Sequence, residues 1–563
     1  MTDGSSLSPP TFRQDLDLAV SELRDGSRRL QTASLTARRQ LVEACISTVA
    51  GTVRPWVAAA CKAKRISLDQ PTAAEEILGG PGTLLRYLQL LSQTIRDIEQ
   101  YGSPRLPGKS RVNSLEQACV PILPVRRIYD QIIFKGLNAE VWLQPDGHGQ
   151  PQFSEMGGDS SKGKMGVAGV LGAGNVSVIP ATDMLYEVFH NGNAVLLKLN
   201  PVNEYLEPIF SEAFGPLIEA NLLRMVLGGT DVGKALVQHP EIDSLHITGS
   251  HYTHDAIVWG ADPSDREERK NAGTPLINKP ITSELGNVTP WIIVPGDYSQ
   301  KQLRSQAEHI AASIANNASF NCLSTKMIVT CKSWPQRAEF LGMVERLLSD
   351  LEPRFAYYPG AKTRFEEATG QPAPESVDES LPWTLLRDTT PDQSPHLFET
   401  ESFVCVCGET AIEAPSASRF LEMAVDLVNE RVFGTLCVSI TVSNQFRREQ
   451  LHALEKAIAR LRYGSVCINQ WSGVVYGMMT PPWGGHSSAT LESPQSGLGH
   501  VHNTFCLTNF DKSVLWGPLC NFPKPVWFPS HRRAREVGWA MCRLYENPSL
   551  KNLVAIFYPV LRG

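Results

Sequence analysis

The chain contains 563 residues, of which 42% are hydrophobic and 20% charged, and its formal net charge is −6 at pH 7. This length predicts two or three domains, and the composition is ordinary for a soluble globular protein. The negative balance argues against a nucleic-acid partner held by overall charge. Residues 1–10 are polar and no run of about 20 apolar residues is present, so neither a secretory signal nor a membrane span is expected.

The N-terminal third is predicted to be helical, with apolar residues spaced for one-sided burial over residues 14–64 and again over 84–98. Residues 140–153 differ, because an alternating run meets an Asp-Gly turn cluster and a second polar run. That pattern predicts a projecting hairpin.

From Gly166 onward, strand-like and helix-like segments alternate, which predicts a parallel sheet with crossover helices. The first unit has strands at 167–171, 194–198, 224–227 and 244–247, with helices at 181–190 and 209–220. The second unit has strands at 290–294, 326–330, 404–406, 438–442 and 465–468, and a long helix at 302–315. Residues 359–395 are rich in Pro, Thr and acids and are predicted to form a long surface loop.

The tail from Val514 to Gly563 carries seven basic and two acidic residues, with aromatic residues interspersed. Basic charge mixed with aromatics is one pattern of membrane-surface contact. No clean amphipathic helix is evident, so we favour an extra helical piece packed on the body or on a partner subunit.

The 12 cysteines include no Cys-x-x-Cys pair, so no residue is assigned to a metal site. Most lie in apolar surroundings, as small buried side chains do in a reducing compartment, and a cytoplasmic protein is expected.

Glu284 and Cys322 stand 38 positions apart and together offer a base and a nucleophile, the two parts of covalent acyl chemistry. The flanks of Cys322 are small and polar, which suits a cleft better than a core. Glu284 is followed by Leu285 and by the apolar strand 290–294. Partial desolvation there is expected to raise the carboxyl pKa toward neutrality.

Eight segments occur in an order that resembles the aldehyde dehydrogenase superfamily, from about residue 166 to 511. They are 174–180, 191–198, 247–250, 284–286, 317–324, 401–403, 463–469 and 482–485. The resemblance implies an α/β fold with a Rossmann-type cofactor domain, an α/β catalytic domain and a bridging β-arm. The implied division is 1–290 with a bridging hairpin near 138–155, 291–500 as the catalytic domain, 501–515 as the bridging strand and 516–563 as an extension. A homodimer or homotetramer follows by analogy.

The same resemblance assigns roles to individual residues. Cys322 would be the nucleophile and Glu284 the base that activates water. Asn175 would stabilise the oxyanion together with the Cys322 N–H. The cofactor would be NAD or NADP, with six binding positions: Lys198, Gly249, Ser250, Leu285, Glu401 and Phe403.

Three departures from the family pattern affect specificity. Pro201 stands where many NAD-preferring members have a glutamate, so NADP is expected to be tolerated or preferred. Asn287 adds a side chain near the cofactor. Val176 and Ser177 replace the usual aromatic residue and proline, so the shape of the substrate tunnel is not predicted.

The main functional hypothesis is NAD(P)-dependent oxidation of an aldehyde to a carboxylic acid, through a cysteine thiohemiacetal and a thioester. The first alternative is a coenzyme A-dependent acyl reductase, in which a thiol takes the acyl group. Glu284 argues for hydrolysis, since acylating relatives often lack that base. The second alternative is a catalytically silent nucleotide-binding homologue.

Overall fold

The computed structural model describes residues 9–145, 149–157 and 166–563. Its helices, in chain order, are α1 Pro9–Thr32, α2 Leu35–Ala63, α3 Ala74–Ile77, α4 Thr83–Tyr101, α5 Ile128–Ile133, α6 Ile179–Phe189, α7 Glu207–Ala213, α8 Gly215–Glu219, α9 Thr230–Gln238, α10 His251–Val258, α11 Pro263–Ala272, α12 Gln300–Ala315, α13 Arg337–Ser349, α14 Ala361–Thr369, α15 Pro395–Glu399, α16 Ala417–Glu430, α17 Asn444–Glu449, α18 Leu451–Arg460, α19 Gly473–Met478, α20 Ala534–Glu546 and α21 Leu550–Leu561.

The strands are β1 Arg111–Val112, β2 Ala118–Leu123, β3 Asn138–Leu143, β4 Gln152–Phe153, β5 Val167–Leu171, β6 Ala194–Lys198, β7 Leu223–Val226, β8 Ser244–Thr248, β9 Ile281–Glu284, β10 Pro290–Ile293, β11 Met327–Cys331, β12 Arg354–Phe355, β13 Ser380–Leu381, β14 Thr384–Leu386, β15 Val406–Ile412, β16 Cys437–Thr441, β17 Ser465–Ile468, β18 Pro482–Trp483, β19 Val501–His502, β20 Leu507–Thr508 and β21 Phe510–Trp516.

The first large sheet has five parallel strands in the order β7-β6-β5-β8-β9. Helices α1, α6 and α9 contact its strands. Cover by helices explains why β5 and β6 are almost continuous apolar runs rather than alternating ones. This is the predicted Rossmann-type unit.

The second large sheet has ten strands in the order β1-β2-β3-β21-β17-β16-β10-β11-β15-β14. The seven strands from β21 to β14 are mutually parallel, whereas β1, β2 and β3 join β21 in antiparallel pairs. Strand β21 therefore attaches the three antiparallel strands to the parallel part of the second sheet within one chain. The sheets change between Glu284 and Pro290, next to the predicted domain boundary at 290.

Most predicted elements form, and four predictions need correction. Residues 209–220 form two helices instead of one, because Gly215-Pro216 interrupts them after Phe214. The strand predicted at 404–406 begins only at Val406. The predicted loop at 359–395 contains α14, and its strand β14 pairs with β15 at the sheet edge.

The fourth correction concerns the predicted hairpin. Its two halves, β3 and β4, do not pair with each other, since β3 lies between β2 and β21 while β4 pairs with β20. The predicted turn at 146–148 lies outside the described residues.

The C-terminal extension packs on the body of its own chain. This is one of the two arrangements expected from the sequence, the other being packing on a partner subunit. The Arg535 guanidinium forms an ion pair of 2.9 Å with Asp69, and the Arg54 guanidinium lies 5.3 Å from the Trp539 ring centre. Helix α20 contacts α2, α3 and α4. Among the described helices, none is both long and apolar enough to cross a membrane.

Candidate active site

Four predicted site positions lie at one edge of the five-stranded sheet. Asn175 follows β5, Lys198 ends β6, Ser250 follows β8 and Glu284 ends β9. The Gly249 N–H donates to the Glu284 carbonyl over 3.0 Å and joins the last two of these strand ends. Ligand sites of parallel sheets form at this carboxyl edge, so the topology explains why residues far apart in sequence meet here.

The Cys322 thiol lies beside the Glu284 carboxylate, with 3.6 Å between Sγ and Oε1. Cys322 is half-buried, whereas ten of the twelve cysteines, all free, are buried; Cys520 is the other half-buried one. The sequence pair at 284 and 322 thus forms a base and a thiol in direct contact.

The nucleophile loop, residues 316–325, is held in an uncommon backbone conformation. Asn317, Ala318 and Ser319 are all left-handed, with φ of 54°, 52° and 70°. Such residues persist where their surroundings hold them, and functional sites are a frequent location. The Thr289 hydroxyl donates to the Cys322 carbonyl over 2.5 Å, and the Trp471 indole donates to the Leu323 carbonyl over 2.7 Å.

The environment of Glu284 raises its pKa to about 7. Burial is the main cause and the nearby Asp183 charge adds to it, while the Trp483 indole, donating to Oε2 over 3.0 Å, opposes the shift. Burial, followed by the Glu284 charge, also raises the pKa of the Cys322 thiol well above its ordinary value. A carboxyl that titrates near neutrality is suited to general base catalysis.

The Asn175 side chain points at the nucleophile loop, and its Nδ2 donates to the Phe320 carbonyl over 3.1 Å. The Asn175 carbonyl accepts three hydrogen bonds, from Lys64 Nζ at 3.0 Å, Asn317 Nδ2 at 3.1 Å and the Tyr357 hydroxyl at 2.9 Å. Asn175 and the loop 316–325 are therefore joined directly through Asn317, and also by side chains from two other parts of the chain, Lys64 and Tyr357.

Lys64 belongs to a buried ion pair, with 2.7 Å between Nζ and Glu76 Oε1, and it also donates to Asn317 Oδ1 over 2.9 Å. A buried ammonium requires such a complete set of acceptors. This pair fixes the end of α2 against both catalytic loops.

Glu401, one of the predicted cofactor-binding residues, lies near the loop that precedes β10. Its Oε1 is buried and has no hydrogen-bond partner among the residues that the structure describes. A Cβ on Gly286 would lie 2.4 Å from Glu401 Oε2, so the glycine is needed for this close approach. Burial raises the pKa of Glu401, and the neighbouring Lys326 ammonium opposes the rise. An unpartnered carboxylate oxygen fits a ligand that brings hydroxyl donors, as a nicotinamide ribose does.

Lys198 is buried and its Nζ donates to the Leu199 carbonyl over 3.2 Å. Ser250 is exposed and caps α10 by accepting from the Thr253 N–H over 3.2 Å. The free N–H groups of that first turn are a suitable anion partner.

Leu285 is buried, and its N–H donates to the Ser496 carbonyl over 2.8 Å. Phe403 is left-handed, and its ring packs on those of Phe320 and Tyr358 at centroid distances of 5.8 and 5.0 Å. Phe403 thus touches the nucleophile loop. The cofactor roles of these residues and of Lys198 and Ser250 stay predictions.

Several supporting residues were missed by the sequence reasoning. Thr289 and Lys326 lie outside the recognised motifs, although each is within a few positions of one. Lys64 had no usable sequence signal, because 111 positions separate it from Asn175. Trp483 lies in a quoted motif, but its contact with Glu284 was not foreseen.

A cavity of about 720 Å³ reaches Cys322 and Glu284. Beside the thiol its wall includes Val176, Leu323 and Trp471. An apolar cavity that ends at a nucleophile and a base is the usual form of a small-molecule site.

Comparison with known proteins agrees with this architecture. The model of the "Aldehyde dehydrogenase family" matches residues 146–350. The aldehyde dehydrogenase LUC3 of Fusarium sp is 26% identical over 339 residues, which are 57% of this chain and 64% of that protein. The N-succinylglutamate 5-semialdehyde dehydrogenase of Sphingopyxis alaskensis is 30% identical over 135 residues, 24% of this chain and 25% of that protein. The chain thus matches less than two thirds of the length of either relative.

Solved structures resemble the fold over most of the chain. A lactaldehyde dehydrogenase superposes with a TM-score of 0.60 at 15% identity, covering 89% of this chain and 91% of the other. An NAD-dependent aldehyde dehydrogenase from Sinorhizobium meliloti gives 0.59 at 16% identity, covering 89% and 87%. An indole-3-acetaldehyde dehydrogenase complexed with NAD+ gives 0.58 at 17%, covering 89% of both chains.

These solved structures show that the chain has the α/β fold of aldehyde dehydrogenases, with a large, mainly parallel sheet. The family model over residues 146–350 and the two relatives add sequence similarity to aldehyde dehydrogenases over part of the chain.

Proposed function

We propose that this protein oxidises an aldehyde to a carboxylic acid with NAD or NADP. The observation that carries the proposal is the 3.6 Å contact between Cys322 Sγ and Glu284 Oε1. The pKa of about 7 for Glu284 supports its role as the base at neutral pH.

In the first step Glu284 accepts the thiol proton, and Cys322 Sγ bonds to the carbonyl carbon of the aldehyde. The carbonyl oxygen takes up the displaced electron pair. Asn175 Nδ2 and the Cys322 N–H are the donors for that oxyanion, and each such donor is worth about 100- to 1000-fold in turnover. The three hydrogen bonds to the Asn175 carbonyl keep this amide in position.

A bound nicotinamide would supply the hydride acceptor at this site. Loss of the hydride from the tetrahedral carbon re-forms the carbonyl and leaves a thioester on Cys322. Glu284 releases the thiol proton to solvent and then takes a proton from water, whose oxygen bonds to the acyl carbon. The carbon–sulfur bond breaks, the acid leaves, and the Cys322 thiolate takes its proton back from Glu284.

The residues on the cofactor side fit a nicotinamide dinucleotide. Glu401 Oε1 supplies a free acceptor for ribose hydroxyls, Gly249 and Ser250 precede the N-terminus of α10, and Lys198 would contact the adenosine ribose. The similar indole-3-acetaldehyde dehydrogenase and a betaine aldehyde dehydrogenase from Staphylococcus aureus form complexes with NAD+, which supports the same cofactor class here.

The test follows reduced-cofactor absorbance with an aldehyde panel, with and without coenzyme A. We expect acid formation without coenzyme A, and Cys322→Ala should abolish turnover while cofactor binding remains. Cys520→Ala is the matched control, because Cys520 is also half-buried but its thiol donates to the Lys301 carbonyl at 3.7 Å. Strict dependence on coenzyme A, or full turnover by Cys322→Ala, would refute the proposal.

We also propose a homodimer or homotetramer, by analogy with the family's bridging arm. Light scattering during gel filtration tests it, and a monomer at working concentration would contradict it.

A further inference from the structure

The C-terminal extension, residues 516–563, lines the same cavity as the catalytic pair. Val526, Trp527 and Phe528 before α20, and Met541 and Tyr545 within it, belong to one continuous wall with Cys322 and Glu284. We propose that the extension forms the distal wall of the substrate channel and selects aldehydes with long apolar chains. This inference rests on the proposed function and names the substrate class.

The extension is fixed to the body on both sides of the channel. Gln306 Nε2 donates to the Leu519 carbonyl over 2.9 Å. The Trp527 indole donates to His309 Nδ1 over 3.4 Å, and the Phe528 ring meets the His309 ring edge to face at 4.6 Å. These contacts, with the Arg535–Asp69 pair, make the wall part of the folded chain.

The facing wall is built from residues 71–83, where small residues allow close packing. A Cβ on Gly82 would lie 3.4 Å from Cys542 Sγ in α20, and one on Gly79 would lie 3.6 Å from Val176. Gly538 of α20 packs equally closely on Ile77, at 3.0 Å for a hypothetical Cβ. The segment 71–83 therefore spans from the extension to the residue beside Asn175.

The chemistry of the wall between these ends is mainly apolar. Its apolar and aromatic members include Leu78, Val176, Ile179, Val474, Met541 and Tyr545. Charged side chains also border the cavity. Three cations among them are held in ion pairs: Arg86 with Asp130, Lys64 with Glu76 and Arg354 with Glu75. The other charged members, Arg65, Asp350, Glu352 and Asp378, are exposed to solvent.

The volume fits a long chain better than a short one. A cavity of about 720 Å³ lies in the range of roughly 300–1,000 Å³ that encloses drug-sized ligands. Burial of each methylene is expected to raise kcat/KM about fourfold until the chain meets the distal wall. A short aldehyde leaves most of that wall unused.

The test measures kcat/KM for linear alkanals from propanal to dodecanal. In Met541→Trp the added ring should remove the rise with chain length and leave propanal little changed. In Trp527→Ala the longest accepted chain should become longer. Val554→Trp, on the exposed face of α21 and outside the cavity wall, should follow the native profile. An unchanged length profile in both wall variants would overturn the inference.

Calorimetric binding of 1-octanol, which cannot be oxidised as an aldehyde, separates this inference from the proposed function. If no aldehyde is turned over but Met541→Trp weakens octanol binding at least tenfold, the extension does form the channel wall and the proposed aldehyde oxidation is refuted. If aldehydes are oxidised while octanol binding and the length profile are the same in native and Met541→Trp protein, the proposed oxidation is supported and the channel-wall inference is refuted. Circular dichroism of each variant excludes misfolding as the cause.

Discussion

At the scale of single residues, the proposed mechanism assigns two proton transfers to Glu284. Glu284→Gln keeps the shape of the side chain but cannot accept a proton, so kcat should fall by about 10²–10⁴. At pH 9, where more thiol ionises without help, the acyl-enzyme should form and persist, visible as added mass on Cys322. The exposed Glu413→Gln is the control and should behave as the native enzyme. Native turnover in Glu284→Gln would remove the base from the mechanism.

Trp483 controls the titration of that base. Its indole stabilises the charged form of Glu284, so its loss should raise the Glu284 pKa above about 7. The acid limb of the kcat/KM profile reports this base in its charged form, and Trp483→Phe should move the limb to higher pH. Trp471→Phe loses a hydrogen bond to Leu323 instead and should lower the rate without moving the limb. A limb that stays in place in Trp483→Phe would disprove the connection.

At the scale of elements, the turn after β6 affects cofactor choice. Pro201 removes the expected ribose-binding acid, yet Glu204 lies in the same 3₁₀ turn, and its Oε1 accepts from the Gly228 N–H over 2.8 Å. Burial lowers the pKa of Lys198, and the Glu204 charge opposes that shift, which indicates that the two are close. A carboxylate here would repel a 2′-phosphate, so we propose that NAD is favoured in spite of Pro201.

Glu204→Gln should therefore raise the kcat/KM ratio of NADP to NAD by about tenfold, which is about 1.4 kcal/mol of relieved repulsion. Glu207→Gln provides the control and should leave the ratio unchanged, because the Glu207 carboxylate accepts a hydrogen bond from Ser211 within α7. Equal ratios in both variants would show that Glu204 does not face the phosphate.

The elements also show what the sequence could predict. Strands β5 and β17 have the predicted bounds, because the sequence of a buried parallel strand is a short apolar run between turn residues. The site positions at their ends followed from motif order. The edge strand β14 is only half-buried and lies among turn-forming residues, so its composition resembled a loop. The Lys64 contact with Asn175 and the channel wall at Met541 depend on tertiary packing, which no local pattern encodes.

At the scale of the whole molecule, the free energy of unfolding at acid pH depends on buried groups whose pKa values are shifted in opposite directions. Burial lowers the pKa of four histidines to about 3 or 4, namely His190, His309, His500 and His502. Unfolded histidines titrate near pH 6.5, so the unfolded chain binds about two more protons on these groups at pH 6.5 and about four more near pH 5. The stability that these groups contribute therefore falls on acidification. Glu284 and Glu401 have raised pKa values, so on these two groups the folded chain binds about two more protons than the unfolded chain. Their contribution to stability therefore rises on acidification.

Near pH 5 the net difference is about two protons, so stability should decrease there by about 3 kcal/mol for each pH unit. Apparent Tm at one scan rate, measured from pH 7 to 5, reports the decrease. Both ring nitrogens of His502 are buried without a partner among the described residues, and its ring packs on Tyr476 at 4.6 Å. His502→Phe should therefore reduce the pH dependence by about one proton's share, whereas the exposed His452→Phe should not. A Tm that is independent of pH in this range, or an equal slope in both variants, would contradict the assignment of acid lability to the buried histidines.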